Sequence, residues 1–176
     1  MIRIFDFLFS FFGLLVLSPV LLILFVITYF DTGSPLFRQE RIGRFEEPFT
    51  LIKFRTMQFD TASVASHLVD KSAITSIGSF LRKSHLDELP QLWNVLKGNM
   101  SLVGPRPALF SQEKLRDARK KHDVYRVRPG ITGLSQISGL DTSTPELLAE
   151  TDAKMIENLS LIAVSYTHLR AHETWS

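Results

Sequence analysis

Hydrophobic and polar positions divide this chain into two regimes. Residues 7–30, FLFSFFGLLVLSPVLLILFVITYF, carry no charged side chain, whereas the sequence after them is mixed and charge-rich. A straight helix of that length extends roughly 36 Å, more than the roughly 30 Å of membrane hydrocarbon. The run is too long for the apolar part of a cleaved signal peptide and has no small-residue cleavage site. Near its middle, the Ser18-Pro19 pair removes a backbone hydrogen bond and predicts a kink. Arg3 precedes the run and Arg38, Arg41 and Arg44 follow it, so the basic flanks do not mark one side as a simple crossing would. Two readings stand. One is a re-entrant membrane helix over residues 1–30 that breaks at Ser18-Pro19 and returns to the same side; the other is a single-pass anchor.

Beyond it, DTGSPLF (31–37) is turn chemistry leading into extended chain. LFRQERIGR and FTLIKFRTM, separated by FEEP, predict a short β-hairpin bearing Arg38, Arg41, Lys53 and Arg55. Those cations fit either a solvated, edge-protecting face or contact with lipid head groups or a substrate phosphate. Residues 58–74 have no clear period. SIGSFLRKS places Ile77, Phe80 and Leu81 at helical spacing, and in LDELPQLWNVLKG the residues Leu86, Leu89, Leu92, Trp93 and Leu96 build one apolar helix face that Gly98 ends. SQEKLRDARKKHDVYRVR reads as a charged helix with a solvated face, and RPGITGLSQISG as loop and turn. The pattern predicts a mostly helical α+β fold: a membrane helix, a small hairpin and interfacial amphipathic helices around a site.

The 176 residues suit one domain. A net charge of only +2 gives no field for nucleic acid, and the absence of cysteine excludes disulfides and thiolate metal sites. No glycine-rich strand-to-helix loop is present, so a doubly wound nucleotide fold is not expected.

Candidate chemistry centres on Asp87-Glu88. An acid pair at a helix start is most often a cap, worth about 1 kcal/mol. Its neighbours change the picture: Arg82 lies just upstream, and Arg106 is held between Pro105 and Pro107. Helix starts and arginines attract phosphate. A carboxylate can attack phosphorus, and a second can help hold Mg²⁺ against a diphosphate.

The blocks SPLFRQERIGR, FTLIKFRTM, LRKSHLDELPQLWNVLKGNMSLVGPRP and RPGITGLSQISG, in this order, resemble the bacterial sugar transferases, specifically the small monotopic phosphoglycosyl transferases. The resemblance runs from Arg3 to about Leu161. It implies transfer of a phospho-sugar from a UDP-sugar to polyprenol (undecaprenyl) phosphate, with release of UMP, as the first membrane step of glycoconjugate synthesis. Asp87 would be the nucleophile, forming an aspartyl phospho-sugar, and Glu88 would support it; both would hold Mg²⁺. Arg106 and Arg82 match phosphate-binding positions. Ser18 and Pro19 match the break of a re-entrant helix, and Arg3 and Asp6 match a basic-to-Asp motif, read as a salt bridge or head-group contact. Residues 31–161 would form the catalytic domain on the cytoplasmic face of the bacterial inner membrane. Membrane lipids and downstream glycosyltransferases are the further partners implied.

Several positions depart from the family pattern. Asn99 stands where Asp is common, GLSQ (133–136) replaces Gly-Trp-Ala-Gln, and Ile2 replaces a basic residue. The tail, residues 162–176, reads as non-native or atypical. Its His168 and His172 lack a third ligand for a metal site. An inactive membrane scaffold of a glycan assembly complex and a membrane-attached phosphohydrolase are the competing function classes.

Overall fold

The computed structural model describes residues 2–58 and 73–158. The tail and its two histidines therefore lie outside the described residues, as does most of 58–74. The apolar run forms a single helix α1, Ile2–Thr32. It continues through Ser18-Pro19, which corrects the expected break into two helices. The reason is local. Pro19 has no N–H for the carbonyl of Leu15 one turn back, and the Ser18 hydroxyl donates to that carbonyl instead, at 2.7 Å.

Two strands follow, β1 Leu36–Ile42 and β2 Pro48–Phe54, paired antiparallel as the expected hairpin. Arg44–Glu46 turns between them as a 3₁₀ segment in which Phe45 and Glu46 both take positive φ. Glu46 meets Lys120 at 2.9 Å, tying the turn to the charged helix. Three small clusters of buried apolar residues are strung along this hairpin. Ile42 packs with Ala108, Leu115 and Leu148; Phe49 and Leu51 pack with Val95 and Met100; Phe54 packs with Leu24 of α1 and with Leu81.

The remaining elements surround this spine. Helix α2 is Ser76–Lys83, capped by the Thr75 hydroxyl, which accepts from the Gly78 N–H at 2.8 Å. Helix α3, Gln91–Lys97, is shorter than the apolar pattern predicts. Leu86–Glu88 form a separate 3₁₀ turn, and Pro90 is the residue before α3 rather than part of its first turn. Then come β3 Ser101–Val103, α4 Glu113–Lys121, β4 Gly130–Thr132, α5 Leu134–Ile137 and α6 Pro145–Glu157. Strands β3 and β4 pair in parallel, so part of RPGITGLSQISG is strand and helix rather than loop. The pairing needs a backbone without side chains at its edge: a Cβ on Gly130 would stand 2.1 Å from the Gly104 nitrogen.

Helix α1 is joined to this domain near both ends. Arg3 donates to the carbonyls of Val95 and Leu96, at the C-terminal end of α3, at 2.5 and 2.8 Å. The buried Asp6 accepts from the Ser101 hydroxyl at 2.8 Å and the Leu102 N–H at 3.0 Å. Arg3 and Asp6 thus each hold a different part of the domain and do not pair with each other, which selects a structural role over a salt bridge between them. At the far end, Asp31 accepts from the Thr75 hydroxyl at 2.5 Å. Most of the rest of α1 is exposed and apolar. Replacing Asp6 with Ala strands a buried hydroxyl and a backbone N–H, so Asp6→Ala is expected to destabilise the folded protein by about 1–3 kcal/mol. Thermal unfolding in detergent, read by circular dichroism, checks this as a lowered midpoint.

Candidate active site

Asp87 lies on the 3₁₀ turn Leu86–Glu88, which the left-handed residue His85 (φ 52) introduces. Neither acid caps a helix, because no side-chain cap bond is made there. Asp87 is buried, and among the described residues no donor hydrogen-bonds its carboxylate. Burial pushes its pKa up and the neighbouring Glu88 adds to the rise; Lys53, His85 and Arg82 oppose it.

Both carboxylates sit within a ring of cations drawn from four parts of the chain. Arg106 donates to Glu88 at 3.1 Å, and its own side chain is half exposed. Arg82, near the end of α2, is fixed by donating through Nε to the hydroxyl of the buried Thr56 at 2.8 Å. From the hairpin come Arg41 and Lys53. Arg41 donates to the Pro107 carbonyl at 3.1 Å and to Gln39 Oε1 at 2.6 Å. Burial and the nearby Arg106 lower its pKa to about 10. Lys53 is lowered by burial, against the opposing pull of Asp87. Arg82 is lowered in the same way, again with Asp87 opposing.

The structure therefore brings together all four residues expected at the site, Arg82, Asp87, Glu88 and Arg106. It also divides the hairpin cations between two places. Arg41 and Lys53 join the site, while Arg38 is exposed on the other face and Arg55 binds the Ser34 carbonyl at 3.0 Å. Strand alternation was the signal: the register sets Arg41 opposite Phe49 and Phe37 opposite Lys53, on one face with Leu51. Asn99 is exposed at the opposite end of α3 from the acid pair.

A cavity of ≈ 910 Å³ opens beside the pair, with Arg41, His85, Glu88 and Arg106 in its wall and Leu92 and Ile131 among its apolar residues. Asp87 is not part of that wall. The two carboxylates offer hard oxygen donors, and no cluster of three acidic or histidine side chains occurs among the described residues. That donor set fits Mg²⁺, which takes one or two carboxylates together with substrate phosphates rather than an all-protein cage.

A desolvated carboxylate beside a second one, among arginine and lysine and packed against a long apolar helix, has the charge pattern of a site for a phosphorylated substrate. The comparisons make this specific. The bacterial sugar transferase family matches residues 1–170, and the chain belongs to that family. It is 41% identical over 159 residues to an uncharacterized sugar transferase, EpsL, of Bacillus subtilis, covering 90% of this chain and 78% of that one. It is 40% identical over 147 residues to the UDP-glucose:undecaprenyl-phosphate glucose-1-phosphate transferase of Caulobacter vibrioides, covering 80% and 55%. To the undecaprenyl-phosphate galactose phosphotransferase of Salmonella typhimurium it is 34% identical over 176 residues, covering 90% of this chain but 37% of that protein. By class the protein is a phosphoglycosyl transferase.

Lys53 is desolvated beside Asp87, so its removal takes away a charge aimed at the site and leaves the buried carboxylate without that compensation. Lys53→Met is expected to lower kcat/KM for the sugar donor by at least about tenfold and to lower the thermal midpoint. Steady-state kinetics and a melting curve on the same preparation check both halves.

Proposed function

We propose that this protein moves a phospho-sugar from a UDP-sugar to polyprenol phosphate on the cytoplasmic face of the bacterial inner membrane, in two displacements at Asp87. The observation that carries this reading is the buried Asp87 carboxylate, which has no hydrogen-bond donor among the described residues and lies within a ring of cations. An anion held that way is poorly solvated, and so a better nucleophile than a hydrated carboxylate.

In the first displacement a carboxylate oxygen of Asp87 attacks the phosphorus that bears the sugar. The bond from that phosphorus to the bridging oxygen breaks, and UMP leaves with the electron pair. Arg106, Arg82, Lys53 and Arg41 hold the diphosphate and its developing charge. In the second, an oxygen of the lipid phosphate attacks the same phosphorus, and the bond to Asp87 breaks to return the carboxylate. A polyprenol diphosphate sugar is the product. Glu88 and Asp87 would hold Mg²⁺, which when bound supplies neutralising charge for the diphosphate. Polyprenol phosphate as acceptor accords with the names of the Salmonella and Caulobacter relatives.

The same reading has α1 enter and leave the membrane from one side. Arg3 and Asp6 fasten its start, and Asp31 its end, to one domain. A straight crossing would separate these attachments by roughly 30 Å of hydrocarbon, and a charge-rich domain cannot bridge that. Because the chain has no cysteine, Ile2→Cys and Gly33→Cys can each be labelled singly. Both are expected to react with an impermeant thiol reagent from the cytoplasmic side; reaction from opposite sides would establish a single crossing.

Turnover is read as UMP release by protein in nanodiscs, given UDP-sugars, Mg²⁺ and undecaprenyl phosphate. Asp87→Asn is expected to remove release and any covalent phospho-sugar adduct, without loss of fold. Since burial and Glu88 raise the Asp87 pKa, the anion is lost as pH falls through a midpoint above the usual aspartate range. The acid limb of kcat/KM should lie there. Release that continues in Asp87→Asn would assign the nucleophile elsewhere, and release without lipid would favour hydrolysis.

A further inference from the structure

Arg119 and Asp152 form an ion pair at 2.6 Å with side chains 2% and 0% exposed. Burying two charges carries a solvation cost that aliphatic packing would avoid, so the pair is weakly explained as a source of stability. Its bonds point elsewhere. Arg119 gives Nε and one terminal nitrogen to Asp152 Oδ2, and its other terminal nitrogen donates to the backbone carbonyl of Arg106 at 2.7 Å. The Ser135 hydroxyl donates to the remaining oxygen of Asp152 at 2.8 Å.

That carbonyl is one of a continuous series. The Gly104 N–H donates to Thr132, the Pro105 carbonyl accepts from Gly130, the Arg106 carbonyl accepts from Arg119, and the Pro107 carbonyl accepts from Arg41. Each residue from 104 to 107 is tied by its backbone, and the two prolines fix φ on either side of Arg106. Only the Arg106 side chain reaches out, half exposed, to Glu88.

We propose that Arg119, oriented by Asp152 and Ser135, is a positioning residue that aims Arg106 at the substrate phosphate, and so couples α4, α5 and α6 to the acid pair. This rests on Arg106 as a phosphate-binding group. The planar fork of arginine meets carboxylate and carbonyl together, which a lysine ammonium keeps in charge but not in geometry.

The test is a double-mutant cycle on the full chain in nanodiscs, reading donor kcat/KM and affinity for UDP. Arg119→Lys is expected to lower kcat/KM by roughly tenfold and to weaken UDP binding. In an Arg106→Ala background it should change either value less than about twofold, because the group it positions is gone. A merely structural role would carry the full loss into both backgrounds, and that result overturns the proposal, as does unchanged kcat/KM in Arg119→Lys alone. If Arg106→Ala itself leaves kcat/KM intact, the phosphate role of Arg106 falls and the positioning role with it. Should Arg119→Lys fail to fold, Ser135→Ala removes only the hydroxyl on Asp152, and the same cycle applies with a loss of roughly threefold.

Discussion

The Asp87 carboxylate is withdrawn from water, and the arrangement around it follows from that burial. Burial and Glu88 both favour its protonated form, while Lys53, His85 and Arg82 favour the charged one. Those cations are poorly hydrated in their turn: burial lowers Lys53, Arg82 and Arg41 alike. The two sets of charges serve as each other's solvent. The diphosphate of the proposed reaction would meet cations that have already lost part of their hydration, which lowers the solvation cost on the protein's side. The hairpin is shaped to deliver them. On the face that carries Arg41 and Lys53 it also carries Phe49 and Leu51, so a core cluster separates and fixes the two charges.

How much of this was legible in the sequence depended on how local the cause was. The hairpin, α2 and the membrane-length helix were readable because periods of two and 3.6 act within a few residues. Asp87, Glu88, Arg82 and Arg106 were readable as a group from their chain proximity and from the family motif. Lys53 and Arg41 were weighed as cations without a decided role, since their approach to the acid pair is set by how the hairpin packs on α3. Arg119 was misplaced on a solvated helix face. Leu115, Ala118 and Arg119 share a buried side of α4, but an arginine at such a position gives no apolar signal, and its partner Asp152 lies on another helix. The strand β4 was missed for a similar reason: Gly130–Thr132 is too short and glycine-rich to announce pairing, which comes from its neighbour β3. The break at Ser18-Pro19 was expected from the proline, the flanking charges and the family pattern, and the serine supplies a hydrogen bond that those arguments leave out.

Helix α3 joins the two regimes of the chain. The acid pair precedes its first residue, and the carbonyls at its last turn are held by Arg3, while Arg128 binds the Gly98 carbonyl just beyond at 2.7 Å. Between these ends, a Cβ on Gly13 of α1 would meet Leu92 at 3.5 Å, an ordinary contact, so the two helices touch along their length as well. With seven residues, α3 separates the membrane-helix attachment from the acid pair by roughly 10 Å. Depth is thereby set by packing rather than by a hinge. An apolar helix whose exposed surface is phenylalanine, leucine, valine and isoleucine fixes its own level in a bilayer, and a short rigid connection gives the carboxylates the same level. On the proposed mechanism, a soluble nucleotide-linked donor and a lipid-borne acceptor phosphate meet at Asp87 only if it sits where head groups lie. The contacts of Arg3, Asp6 and Gly13 with α3 and β3 are the means by which this fold sets the acid pair relative to α1.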